Sequence, residues 1–250
     1  MSLPKTLDTI IKRAFEEVPS RNDVYREFRD SFHSLPPTIR DHRKYFSENS
    51  RGFGEDAFHS MWFWMFGEFR PKRCLEIGVY RGQVLTLWPL LADYFNFSVE
   101  IGAISPFSSA GDEVSSYSGE IDYLADTKLN HDHFNLQYPH FCADFSTSEK
   151  AKFFIQSSRW DLIYIDGSHD YDIVMSDFNI AYENLADDGF IVMDDASLYF
   201  DYSSDDGGFK GHPGPSRVAN DVAAKKMDLI AGIGHNNIFR KKDWRKKIFK

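Results

Sequence analysis

The chain has 250 residues, 42% of them apolar, enough to bury a full core in a single α/β domain with decorations. A formal charge of −9 excludes a phosphate-tracking surface, because nucleic-acid binding needs Lys and Arg to displace counterions, so no nucleic-acid partner is expected. No apolar run approaches the roughly 20 residues of a membrane span, and Cys74 and Cys142 have neither metal nor disulfide spacing, so a soluble cytoplasmic protein is expected.

Leu7, Ile10, Ile11, Ala14 and Phe15 recur at helical spacing, which predicts an amphipathic helix closed by Pro19 and Ser20. From Arg21 to Gly54 the chain is polar and aromatic around Pro36-Pro37, and reads as short helices joined by turns. Residues 1–54 are therefore expected to form an N-terminal helical extension, a candidate lid or homo-oligomer contact, with plain packing decoration an equal alternative. Residues 55–250 carry the main domain. The helix predicted over Ala57 to Phe69 is apolar nearly all round, so Trp62 and Trp64 read as core.

Arg73 to Ile77 is a short apolar strand running into Gly78-Val79-Tyr80-Arg81-Gly82 and then a helix ending near Tyr94. Its Glu-x-Gly-x-x-x-Gly spacing, Glu76 to Gly82, differs from the Gly-x-Gly-x-x-Gly of dinucleotide binders. Ser98 to Ile104 is predicted as the second strand, followed by a small-residue loop, a helix over 119–134, and a third strand over Pro139 to Ala143. Ser146 is read as the cap of the next helix, which runs to Gln156.

Trp160 to Asp166 and Gly189 to Asp195 are apolar runs closed abruptly by carboxylates. Strands apolar on both faces belong in a parallel sheet covered by helices on both sides, and their carboxyl ends line the ligand crevice. Asp166, Asp194 and Asp195 are thus expected beside one another, where their repulsion calls for a cation or a proton. Strand alternation would send Asp194 and Asp195 to opposite sides. Asp177 reads as a helix-face residue. The segment from Ser197 to Pro213 is a candidate flap, a helix follows over Ser216 to Lys226, and strands over Leu229 to Ile233 and Asn236 to Arg240 close the fold. The basic stretch from Arg240 to Lys247 reads as a solvated terminus. Together these elements predict a doubly wound, seven-stranded, mostly parallel α/β sheet.

The segments Glu76-Ile77-Gly78-Val79-Tyr80-Arg81-Gly82 and Asp166-Gly167-Ser168-His169-Asp170-Tyr171, with the later Asp194-Asp195, resemble class I methyltransferases that use S-adenosylmethionine. Within them, the second motif resembles the sugar O-methyltransferases of the macrocin and mycinamicin type. The resemblance covers Cys74 to Arg240 and implies a Rossmann-like methyltransferase domain over residues 55–250. It also implies methyl transfer to a hydroxyl of a small molecule, a sugar or glycosylated metabolite among the candidates. Asp166, Asp194 and Asp195 would hold Mg2+ or another divalent cation, and His169 would be the general base. Glu76, Gly78, Tyr80, Gly82, Ser105, Asp144 and Asp166 would surround S-adenosylmethionine. One departure is Ser105, which stands where such enzymes usually offer an acid to the ribose; either binding is weaker there, or another acid such as Glu100 or Asp112 reaches in, or the cofactor is a different one. Two other readings compete. One is an NAD-dependent oxidoreductase, against which the glycine spacing argues; the other is a degenerate methyltransferase-fold binding module, which Ser105 favours.

Overall fold

The computed structural model describes residues 20–48, 50–115, 117–201 and 209–242. The helix expected over Leu7 to Val18 lies outside these residues, as do Asp243 onward and positions 202–208 of the expected flap.

Among the described residues, helices α1 (Arg21–Ser31), α2 (Pro37–Glu48) and α3 (Asp56–Phe69) precede β1 (Arg73–Ile77). Then α4 (Gln83–Tyr94), β2 (Glu100–Ser105), α5 (Tyr123–His133), β3 (His140–Ala143), α6 (Glu149–Gln156), β4 (Trp160–Ile165), α7 (Tyr171–Asn184) and β5 (Leu185–Met193) alternate. Helix α8 (Pro213–Val218) continues through a π turn at Ala219–Ala223 to Lys226, and β6 (Met227–Ile233) and β7 (Asn236–Lys241) follow. The sheet has seven strands in the order β3-β2-β1-β4-β5-β7-β6. The first five are parallel, and β7 runs antiparallel to both β5 and β6.

Strand alternation divides the core in two. Leu162, Tyr164, Phe190 and Val192 pack on one face with α1, α3 and α4, whereas Ile163, Ile165, Ile191 and Met193 pack on the other with α6, α7 and α8. Each fully buried branched side chain contributes about 1.5–3 kcal/mol, which favours the apolar runs of the central strands. Trp62 and Trp64 are 2% exposed and belong to this core, as their apolar helix predicts. The described part of the N-terminal extension shares the first core through Tyr25, Phe28, Phe32, Leu35 and Ile39.

Several boundaries moved for local reasons. Helix α5 begins at Tyr123 rather than residue 119, because the Asp122 carboxylate accepts the Ala125 N–H at 2.9 Å and caps it. Ser148, not Ser146, caps α6 by accepting the Ala151 N–H at 3.1 Å. Ser146 instead donates to the Asp177 carboxylate at 3.0 Å. Asp177 is accordingly no surface group: it is 1% exposed beneath the sheet end. The cysteines are buried and unpaired. Among the described residues, no helix is long and apolar enough to cross a membrane.

Candidate active site

The parallel strands end side by side, and backbone bonds lock their ends together. Gly78 N–H donates to Ile104 O at 2.8 Å, Asp166 N–H to Ile77 O at 2.8 Å, and Asp194 N–H to Ile165 O at 3.0 Å. Gly78 has φ +100°, and a Cβ there would stand 2.0 Å from Asp166 O, so only glycine lets the β1 and β4 ends approach this closely. Gly82, at φ +78°, turns the chain into α4.

Two cavities open at these ends, of about 490 and 320 Å3, and both are lined by Gly78, Tyr80, Ser115, Tyr117 and Gly167. Glu76, Gly82, Asp166, His169, Asp194 and Asp195 line the larger one, and Ser105 the smaller. Asp144 lines neither. Its carboxylate is turned back onto the Phe145 N–H at 2.8 Å, while Phe145, Ser146 and Thr147 face the smaller cavity in its place. The Ser105 hydroxyl donates to Val79 O at 2.9 Å, so its proton is already committed. The acids expected to replace it are also engaged. Glu100 starts β2 at the far end of the strand and pairs with Arg73 at 3.3 Å, and Asp112 is bound to His169.

Asp194 and Asp195 reach the same space despite adjacent positions. They follow the last strand residue, and Asp195 takes a left-handed φ of 51°, which breaks the alternation that would have separated them. His212 N–H donates to Asp195 O at 2.8 Å, and Ala196 N–H to His235 O at 2.9 Å, so the chain on both sides fixes this bend. His235 Nε2 then lies 3.3 Å from Asp194 Oδ1 and 3.7 Å from Asp195 Oδ1.

His169 stands between two carboxylates. Its backbone N–H and Nδ1 meet Asp112 Oδ2 at 2.6 and 2.8 Å, and its Nε2 lies 2.9 Å from Asp195 Oδ2. Burial opposes protonation, but the bonds and charges of Asp195 and Asp112 outweigh it and raise the imidazole pKa. The cap of α7 is Asp170, which accepts from Asp172 and Ile173, so His169 is free of that duty. His212 packs edgewise on the His169 ring, 4.2 Å between centroids.

The acids share one strongly desolvated region. Burial, and then the charges of Asp194 and Asp195, push Asp166 well above the usual carboxylate range. Burial followed by Asp194 does the same to Glu76. Asp194 is raised by burial and by Asp195, with His235 working against it. The Asp166 and Asp194 carboxyls hydrogen-bond each other, so at least one of the acids is neutral unless a cation is close.

A divalent cation suits this donor set. Ligand atoms of Asp194, Asp195 and His235 all lie within 4.8 Å of one another, as do those of His169, Asp195 and His212, and Asp194 Oδ1 is buried without a hydrogen-bond partner. Asp166 belongs to neither group, because its carboxyl is turned onto Asp194. The two cavities, which share Gly78 and Tyr80 in their walls, likewise suit an elongated cofactor. Sequence reasoning missed Asp112 as the partner of His169, and it missed His212 and His235. No spacing links these to the acids; only the Gly211-His212-Pro213 and Gly234-His235 turns hint that they sit at strand ends.

Residues 75–196 match a family model described as a methyltransferase domain. No curated protein matches the sequence. Among solved structures, a protein described as a caffeoyl-CoA O-methyltransferase from Staphylococcus aureus aligns with a TM-score of 0.57 at 15% identity, over 85% of this chain and 95% of that one. The S-adenosylhomocysteine-bound methyltransferase PaMTH1 from Podospora anserina gives 0.57 at 14% identity, over 84% and 89%. The O-methyltransferase NovP gives 0.51 at 14%, over 94% and 98%. At these identities the likeness is one of fold, and the sheet described above is the Rossmann-like methyltransferase fold.

Proposed function

We propose that this protein is an S-adenosylmethionine-dependent O-methyltransferase that acts, with the help of a divalent cation, on a hydroxyl of a small molecule. The observation that carries the reading is the pair of cavities that share Gly78 and Tyr80, with His169 and the Asp166, Asp194 and Asp195 carboxylates lining the larger one. The match of residues 75–196 to a methyltransferase domain supports it, and the Asp166 to Tyr171 motif favours a sugar or glycosylated metabolite as acceptor.

The cofactor supplies a methyl group on a sulfonium, so methylation of an alcohol forms a C–O bond as the S–C bond breaks and leaves one proton to be removed. Gly78, Tyr80 and Gly82 surround the cofactor, with Glu76 buried beside it. His169 Nε2, which faces Asp195 Oδ2 at 2.9 Å in this structure, would take the hydroxyl proton once that contact is released, while Asp112 fixes the ring by holding Nδ1. Asp194 and Asp195, with Asp166 beside them, would hold the cation, which would supply a lowered pKa and a fixed orientation for the acceptor hydroxyl. The aromatic lining from Trp62, Tyr164 and Phe58 excludes water from the reacting atoms.

Calorimetric titration with S-adenosylhomocysteine, followed by a screen of hydroxylated acceptors with methyl-labelled cofactor, tests this reading. Binding of the cofactor product and label in a methyl ether are expected. Binding of NAD(H) instead would replace the reading with an oxidoreductase, and binding of neither would leave a scaffold.

A further inference from the structure

We infer that His235, on the β6–β7 turn, is a metal ligand alongside Asp194 and Asp195, and that this site takes a transition-metal cation of the zinc or cobalt kind in preference to magnesium. The inference rests on the cation-assisted reading above and adds to it a ligand and a metal class.

The orientation of the ring carries the argument. His235 Nδ1 lies 3.3 Å from Phe209 O, and a carbonyl can only accept, so Nδ1 carries the proton. Nε2 is then the ring atom turned toward two carboxylates, 3.3 Å from Asp194 Oδ1 and 3.7 Å from Asp195 Oδ1. Ligand atoms of all three residues lie within 4.8 Å of one another, and Asp194 Oδ1 is buried with no hydrogen-bond partner, an arrangement that a cation would satisfy. Separations of this size are what adjacent ligands adopt about a metal bound at roughly 2.0–2.2 Å. A carbonyl holding the remote ring nitrogen is the usual partner of a metal-bound imidazole.

The ring is also held rigidly. Arg21 Nε donates to Gly234 O at 3.0 Å and Arg21 Nη2 to Asn236 O at 2.9 Å, so one guanidinium clamps the residues on both sides of His235. Phe58 and Phe209 meet the ring edge-on at 4.7 and 5.4 Å. Such support would be idle for a surface histidine, and His235 is only 9% exposed.

Ligand type then selects the metal. Magnesium prefers oxygen donors and keeps several waters, whereas imidazole nitrogen suits later transition metals such as zinc and cobalt and binds them more tightly along the usual affinity order.

Chelator-stripped full-length protein is titrated with Co(II), Zn(II) and Mg(II) by calorimetry, with the visible bands of Co(II) and the ring nitrogen resonances of His235 followed in parallel. Wild type should bind Co(II) and Zn(II) at least about 10-fold more tightly than Mg(II), and Zn(II) should shift His235 Nε2. In His235→Asn, Co(II) affinity should fall by about 10-fold or more with changed visible bands, while Mg(II) affinity moves little. Magnesium binding as tight as cobalt, or an unmoved Nε2 resonance under saturating Zn(II), overturns the inference, and the second needs no variant. The outcomes separate from failure of the methyltransferase reading: absent S-adenosylhomocysteine binding with an intact cobalt signature would sink that reading and leave the His235 site standing.

Discussion

The carboxylate of Asp112 grips His169 at two points across 57 residues of chain, accepting the backbone N–H at 2.6 Å and meeting Nδ1 at 2.8 Å. The pair works both ways. Burial disfavours the Asp112 charge, but the bonds from His169 and Ser115 outweigh it and hold its carboxyl well below the usual range.

In metal-free protein, His169 should therefore titrate above the ordinary imidazole value of about 6.5, remaining protonated to higher pH. Asp112→Asn removes one of the two charges that favour the proton, so the midpoint should move down, and methyl transfer should fall by about 10–100-fold because Nδ1 loses its anchor. Proton NMR of the ring follows the titration without an acceptor. An unchanged midpoint in Asp112→Asn would separate the two residues functionally.

Tyr80 borders both cavities, and its ring packs against Tyr117 and Tyr123 at 5.5 and 5.4 Å. Tyr80→Ala should weaken S-adenosylhomocysteine binding by about 10-fold or more while changing the melting temperature by only a few degrees. Gly78→Ala should behave differently. The added Cβ would meet Asp166 O at 2.0 Å in a left-handed backbone, so it should unfold at a much lower temperature before any effect on the cofactor is read. Equal thermal stability of wild type and Gly78→Ala would contradict the close approach.

Asp177 is raised to about 7, chiefly by burial, with the Ser146 bond working against the shift. A carboxyl whose folded pKa exceeds its unfolded value contributes stability that is fully present below about pH 4 and is lost as pH rises through 7. Asp177→Asn should remove this slope, which linkage puts at a few kcal/mol in all, on the order of 1.4 kcal/mol per pH unit. Urea melts at pH 5 and 7.5 measure it.

His42 and His59 set the opposite trend. They are buried in a chain in which His42 Nδ1 meets His59 Nε2 at 3.1 Å and His42 Nε2 meets Thr86 Oγ1 at 3.0 Å. Burial first, and then the charge of Arg43, lowers His59 to about 3. Stability from this group is present above the unfolded value of 6.5 and is lost as pH falls toward 3. The double variant His42→Phe, His59→Phe should be less acid-sensitive than wild type between pH 6.5 and 4. Identical acid melts would place the acid-labile step elsewhere.

Much of the scaffold was legible because burial on two faces writes itself into a strand as an unbroken apolar run. Leu162 to Ile165 and Phe190 to Met193 read as central parallel strands, with carboxylates following at their ends. The acids Asp166, Asp194 and Asp195 and the base candidate His169 were visible for that reason, and so was the glycine turn from Gly78 to Gly82. Caps were less certain, since Ser146 and Ser148 are both good capping residues and only the buried Asp177 decides which is left to cap α6.

What the sequence by itself determined is the order of strands and helices and the set of carboxylates delivered to one edge, because both follow from local periodicity. The tertiary structure decided which groups meet there. Asp112 reaches His169 from a distant loop, His235 arrives on an antiparallel hairpin clamped by Arg21, and a single left-handed residue turns Asp195 toward Asp194. Those encounters depend on loop closure and on one backbone dihedral, and neither leaves a period in the chain.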